Sequence, residues 1–258
     1  MKVQLLPSSI DENGCASQRQ HLLSIIIDDR VAIDAGCLAF SCTDVQREQV
    51  RDIILTHPHL DHIAALPMYI DDLFAMLKEP IRIHATRESI DILERDIFNW
   101  AVYPRFSELK NDFGAVIEYH EFSQGTVFEA AHLSVRSVPV NHQVGSNGYF
   151  ISDRTASIAI TGDTAETDEI WRECGSSANL KAMMVECAFP DELDDLAEAS
   201  FHLTPKRLRA ELEKIGERRF PVYVINLKPM YRDEVIEQLK AEEIPNLEIL
   251  EVGKVYEF

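Results

Sequence analysis

The chain has 258 residues, enough to bury a sizeable core, and its hydrophobic fraction of 46% with 8% aromatics is that of an ordinary globular protein. Acidic residues outnumber basic ones by 44 to 25, a formal net charge of −19; this field repels a polyanion such as tRNA and argues against a nucleic-acid polymer as partner. No apolar run approaches the ~20 residues of a membrane span, and residues 1–7 lack the apolar core of a signal peptide, so a cytoplasmic protein with no membrane partner is expected.

In chain order, strands are expected at 2–6, 22–28 and 30–33, with Asp34-Ala35-Gly36 as a turn after a buried strand. Ile53, Ile54 and Leu55 follow one another within 50–56, which suits a strand buried on both faces. Ile63, Leu66, Pro67, Ile70, Leu73, Phe74 and Leu77 then recur at helical spacing, so a helix is expected over 64–78. A strand at 81–84 and a helix over 87–99 come next.

Further strands are expected at 115–121, 126–129, 132–140, 148–152 and 157–161, and, after a short helix, at 182–186. A helix over 205–215, a strand at 222–226, a helix over 233–241 and a strand near 247–252 complete the chain. A strand-rich half followed by helices, repeated once, predicts an α/β protein of two packed sheets with helices outside. This αββα sandwich is read as a single domain, 1–258.

The most informative run is Thr56-His57-Pro58-His59-Leu60-Asp61-His62, on the turn between the strand at 50–56 and the helix that follows. Imidazole and carboxylate together suit zinc, manganese or iron. His57 and His59 alternate and leave the same face of an extended segment. Asp61 and His62 sit on the turn, within reach of a second nearby ion, so the spacing reads as two divalent metals.

Other donors are expected from strand ends. His142 closes the strand at 132–140, and Asp163, in Thr161-Gly162-Asp163-Thr164, follows a buried strand where a carboxylate can bridge two cations. His202 lies in Phe201-His202-Leu203-Thr204-Pro205, where Thr204 is placed to cap a helix starting at Pro205. His21, His84, His120 and His132 have no acidic sequence neighbours at ligand spacing and read as structural. The five cysteines show no paired spacing and read as reduced thiols, Cys187 included. Arg207, Arg209, Arg218 and Arg219 read as a solvated helix face, and Gly145-Ser146-Asn147-Gly148 as a hairpin turn.

His57-x-His59-x-Asp61-His62, followed by His142 and Asp163, resembles the ordered metal motifs of the metallo-β-lactamase superfamily, and Ile33-Asp34-Ala35-Gly36 extends the likeness towards the start of the chain. His59-Leu60-Asp61-His62-Ile63, His202-Leu203-Thr204-Pro205 and Leu227-Lys228-Pro229 resemble the branch holding class II cyclic-nucleotide phosphodiesterases and ribonuclease Z. The resemblance implies that His57, His59 and His142 hold one ion and that Asp61 and His62 hold another, with Asp163 bridging. His202 then contacts the phosphate or assists the leaving oxygen, oriented by an upstream acid such as Asp191 or Asp194. Asp61 and His202 are the implied catalytic groups. Asn226 stands where this family places its last histidine ligand, and an amide oxygen is a weaker donor for zinc.

The implied activity is hydrolysis of a cyclic nucleotide or similar small phosphodiester by metal-activated water, with zinc the first metal expected and manganese or iron the others. The resemblance also implies a homodimer, for which the sequence offers no signal of its own. A ribonuclease Z-like activity is the near alternative, but the gap from His142 to Asp163 (163 − 142 = 21) leaves little more than a hairpin where a tRNA-gripping insertion would sit. Lactonase or thioesterase chemistry would use the same metal core. A protein of another class, holding metal without turnover or iron for redox, would also fit an altered second site.

Overall fold

The computed structural model describes residues 1–258. Ile25–Ile27, Val31–Ile33 and Asp52–Ile54 are short, rich in β-branched residues and buried throughout, which suits strands covered on both faces. They form the middle of a seven-stranded sheet ordered Val255–Glu257, Lys2–Leu5, Ile25–Ile27, Val31–Ile33, Asp52–Ile54, Ile81–Ala85, Ile117–Glu121. A second seven-stranded sheet is ordered Leu247–Ile249, Val222–Ile225, Leu180–Glu186, Ser157–Ile160, Ser146–Ser152, Leu133–Val140, Val127–Ala130.

The two-residue period of the strands sorts their side chains between layers. Ile158 and Ile160 join Ile25, Ile27 and Ile54 between the sheets, while Ala159 faces the outer helices with Trp171 and Leu208. Ile26 and Ile53 turn the opposite way, onto Leu66, Tyr69 and Ile70. The architecture is the αββα sandwich.

Some elements differ from expectation. The helix over 64–78 is two pieces, Leu60–Ile63 and Leu66–Leu73; Pro67, with no backbone N–H to donate, sits in the first turn of the second. The helix over 87–99 ends at Ile92 and continues as a π-helical turn, Leu93–Ile97, in which Phe98 N–H donates to Leu93 O at 2.8 Å and brings Phe98 into the core. Helices Leu38–Ser41, Asp44–Gln49 and Asp194–Ser200 and the strand Val255–Glu257 are additional. The stretch 146–148 begins a strand rather than a turn. No helix is long and apolar enough to cross a membrane.

The topology gathers one edge. Val31–Ile33 runs parallel to Asp52–Ile54, and Ser157–Ile160, Leu180–Glu186 and Val222–Ile225 are mutually parallel. Leu133–Val140 is antiparallel to Ser146–Ser152, itself antiparallel to Ser157–Ile160, so it points the same way as the latter. Asp34, His57, His142, Asp163, Glu186 and Asn226 therefore all lie at or just beyond carboxyl ends of strands. Ligand sites of open α/β sheets form at such edges.

Candidate metal centre

The loop 55–62 is locked by backbone contacts. Gly36 lies against it so closely that a Cβ there would fall 2.0 Å from Asp61 O and 2.8 Å from backbone atoms of Leu23. Leu23 N–H donates to Asp61 O at 2.9 Å, and Ala35 N–H donates to His62 O at 2.7 Å.

Asp34, at φ 59°, organises the side chains of this loop. Its Oδ1 accepts from Thr56 N–H at 2.8 Å, and its Oδ2 accepts from the Thr56 hydroxyl at 2.8 Å and from His62 Nδ1 at 2.7 Å. The Thr56 oxygen, its hydrogen committed to Asp34, accepts from His57 Nδ1 at 3.0 Å. Across the site, His142 Nδ1 donates to Phe201 O at 3.0 Å. Three imidazoles are thus anchored through Nδ1 and aim Nε2 into the site, the arrangement that orients metal-binding histidines.

These free nitrogens converge. Donor atoms of His57, His59 and His142 lie within 4.8 Å of one another, as do those of His57, His62 and Asp163, and of His142, Asp163 and His202. His57 Nε2 is 3.9 Å and His62 Nε2 3.3 Å from Asp163 Oδ2. Both nitrogens are buried with no aligned hydrogen-bond partner, the 3.3 Å approach being electrostatic rather than a directed bond. Buried polar atoms without partners are rare in folded proteins, and neutral imidazole with carboxylate is the donor set of a borderline divalent cation. The residues fit a divalent metal.

Electrostatics agree with this assignment at His57, His59 and His142. Burial pushes His57 well below the usual imidazole range, and the neighbouring His62 adds to the shift. Burial and then His142 lower His59, and burial lowers His142 although Asp163 opposes it. These three rings are neutral near pH 7, as metal ligation requires. His62 behaves in the opposite way. Burial disfavours its charge, but Asp163 and Asp34 on either side outweigh that and hold it well above the usual range. Burial would raise Asp163, yet His62 and His57 hold it far below the ordinary carboxylate range.

His202 precedes the helix Pro205–Glu213, whose first turn is capped as expected, with Thr204 Oγ1 accepting from Arg207 N–H at 3.4 Å. Its orienting acid is neither Asp191 nor Asp194. Asp191 accepts from Lys206 N–H at 3.0 Å, and Asp194 is paired with Arg207. The fully buried Glu186 takes the role: its Oε1 accepts from His202 Nδ1 at 2.7 Å and from Thr164 N–H at 2.8 Å. Burial disfavours the charged ring, but Glu186 raises it above the usual imidazole range.

Asn226 and Asp61 belong to the site in ways the motif spacing does not convey. Asn226, at φ 54°, donates Nδ2–H to Asp163 Oδ1 at 2.6 Å. Its amide nitrogen rather than its oxygen faces the centre, because a carboxylate attracts N–H and repels a carbonyl. Asp61, about one-third exposed, lies outside the converging groups and accepts from Lys228 Nζ at 3.4 Å.

Two of the remaining histidines have carboxylate partners from distant segments. His84 meets Asp52 at 2.8 Å and His132 meets Asp28 at 2.8 Å. The expectation of no acidic neighbours fails along the sequence for His120, which has Glu118 two residues before it on the same strand at 3.6 Å, and in space for His84 and His132. None of His84, His120 and His132 enters a converging donor group.

Two site residues escaped the sequence reading. Asp34 was visible only as part of a turn. Glu186 carried a usable signal: it closes Ala182-Met183-Met184-Val185, and a carboxylate in a strand buried on both faces needs buried donors to be tolerated.

A family model described as the Beta-lactamase superfamily domain matches residues 29–222. A probable 3′,5′-cyclic-nucleotide phosphodiesterase of Yersinia pestis is 26% identical over 213 residues, which is 72% of this chain and 59% of that protein. A 3′,5′-cyclic-nucleotide phosphodiesterase 1 of Saccharomyces cerevisiae is 26% identical over 196 residues, 65% of this chain and 51% of that one. The matched stretch thus spans between half and three-fifths of these curated relatives. Among solved structures, unliganded yeast PDE1 superposes with a TM-score of 0.77 at 16% identity, covering 98% of both chains. YhfI from Bacillus subtilis, a metallo-β-lactamase fold protein, gives 0.72 at 15% identity, covering 99% of both chains. The short form of human tRNase Z gives 0.65 at 16% identity, covering 100% of this chain and 99% of the other. At these identities the three superpositions establish the fold.

Proposed function

Since the chain belongs to the β-lactamase superfamily and has the metallo-β-lactamase fold of its hydrolases, we propose that it hydrolyses a small phosphodiester, with 3′,5′-cyclic nucleotides the first substrates to test. The observation that carries this reading is the convergence of His57 Nε2 and His62 Nε2, buried and unpartnered, on Asp163 beside the Glu186-oriented His202. The names of the two curated relatives favour a cyclic phosphodiester over other esters.

On this reading His57, His59 and His142 hold one divalent ion, and His62 and Asp163, with Asp61 at the rim, hold a second, zinc being the first candidate and manganese or iron the others. Such ions supply Lewis acidity towards a phosphoryl oxygen and make water acidic enough to attack near neutral pH. The chain's own groups do the rest. His202, committed to Glu186 through Nδ1, keeps a proton on Nε2 to give to the departing sugar oxygen. Asp34 and Thr56 fix His57 and His62, so these two rings are held in place before any substrate arrives. A single phosphate charge is compatible with an acidic protein, whereas a long polyanion is not.

The test is hydrolysis of bis-p-nitrophenyl phosphate and cyclic AMP by protein loaded with zinc or manganese, beside His57→Ala. Metal-dependent turnover that His57→Ala abolishes is the expected result. Two bound iron atoms and no hydrolysis with any added metal would overturn the proposal in favour of a redox protein.

A further inference from the structure

Two carboxylates of the proposed second position, Asp163 and Asp61, are both engaged by one short segment. From the end of strand Val222–Ile225, Asn226 gives its amide N–H to Asp163 Oδ1 at 2.6 Å, and two residues later Lys228 brings its ammonium within 3.4 Å of Asp61 Oδ2. The group His57, His59 and His142 is different. Its three rings are neutral and their donor atoms face one another, with no lysine, arginine or amide among their partners.

We infer that the two metal positions are unequal: the ion at His57, His59 and His142 is resident, and the ion at His62, Asp163 and Asp61 exchanges against Lys228. This rests on the hydrolase reading for the identity of the ligands and goes beyond it in how they are filled. A divalent ion entering the second position meets an ammonium of like charge whose pairing with Asp61 it must displace, and an amide N–H that already holds a lone pair of Asp163. For Asn226 to present its oxygen instead, its buried amide must first give up the bond to Asp163. Lys228, 30% exposed on a flexible stem, can swing out. Occupancy of the second position, and with it activity, then follows the free metal concentration.

Metal content after equilibrium dialysis against graded free Zn²⁺ or Mn²⁺ is the readout, and it needs no turnover. Wild-type protein is expected to keep one ion per chain at concentrations where the second is only partly bound. Lys228→Gln, on a half-buried side chain, should fill the second position at about 10-fold or more lower free metal while leaving the first unchanged. Asn226→His, which adds a donor at a backbone angle histidine tolerates, should shift it in the same direction. Two ions bound in one unresolved step, or a second-ion affinity untouched by Lys228→Gln, would overturn the inference. A protein that shows the two unequal ions yet hydrolyses no phosphodiester leaves the inference standing and removes the functional reading. A protein that binds no ion removes both.

Discussion

Glu186 and His202 are 16 residues apart in the chain, and their side chains meet at 2.7 Å beneath the site, one from the end of a buried strand and the other from a helix-capping loop. The acid has no exposure to solvent and holds the imidazole by its Nδ1. The pair favours the protonated ring of His202, since a buried negative charge lies against it.

Glu186→Gln keeps the shape and removes that charge. Loss of the partner that raises His202 should move the basic limb of the kcat–pH profile to lower pH and reduce kcat at neutral pH by on the order of 100-fold. A fall in kcat with an unmoved basic limb would mean that Glu186 only supports the backbone at Thr164 and Leu203.

Metal should stabilise the folded protein measurably. Ligands that bind only the native state add about 2.7 kcal/mol at 100 times their Kd, which for a chain of this size is a rise in Tm of roughly 5–10 °C. Calorimetry with a chelator and then with zinc or manganese restored checks this. His142→Ala should show a much smaller response. An equal response in that variant would place the stabilising ion elsewhere.

Asp34 touches no expected metal position directly, yet its substitution should register there. Asp34→Asn retains a residue type that accepts the positive φ but removes the charge that holds His62 and the Thr56 hydroxyl. Metal affinity should weaken on the order of 10- to 100-fold, with the fold intact by circular dichroism. Unchanged affinity would restrict Asp34 to a structural part.

The thiols give a pH prediction independent of the site. Burial pushes Cys37 up to about 11 and Cys42 and Cys174 up to about 12, and it holds Cys187 well above the usual thiol range, while Cys15 is exposed. A thiol whose folded pKa is raised contributes stability that is whole below its unfolded value near 8.5 and is lost as pH climbs through the folded one. Stability should therefore fall between about pH 9 and 12, and at pH 8 a thiol reagent should react promptly with Cys15 alone. Rapid reaction of two or more thiols would show that the cores open more readily than their packing implies.

The succession of strands along the chain, and the placing of His57, His59, His62, His142 and Asp163 at strand ends, were readable because local rules govern them. Two-residue alternation marks a strand, and a donor just past a buried strand has few roles open to it. What the sequence did not disclose depended on distance along the chain. Asp191 and Asp194 were chosen for His202 by proximity, whereas the partner that geometry supplies is Glu186, on a strand whose end lies under the ring. Which atom Asn226 presents was likewise decided by Asp163, a neighbour 63 positions away. Short elements were missed for another reason. Asp44–Gln49 is too brief for a periodic signal, although Thr43 and Gln46 form a reciprocal capping box that a search for caps would have found.

Gly36 has no side chain and takes no part in any chemistry, yet a single methyl group there would press on the carbonyl of Asp61. A genetic screen for loss of activity would return this position beside the histidines, and its hit would be steric in origin. Restoring metal in excess would rescue a variant whose ligands are merely weakened, but not one whose loop has been levered off its seat. That difference in rescue separates residues that bind from residues that hold the binding loop in register.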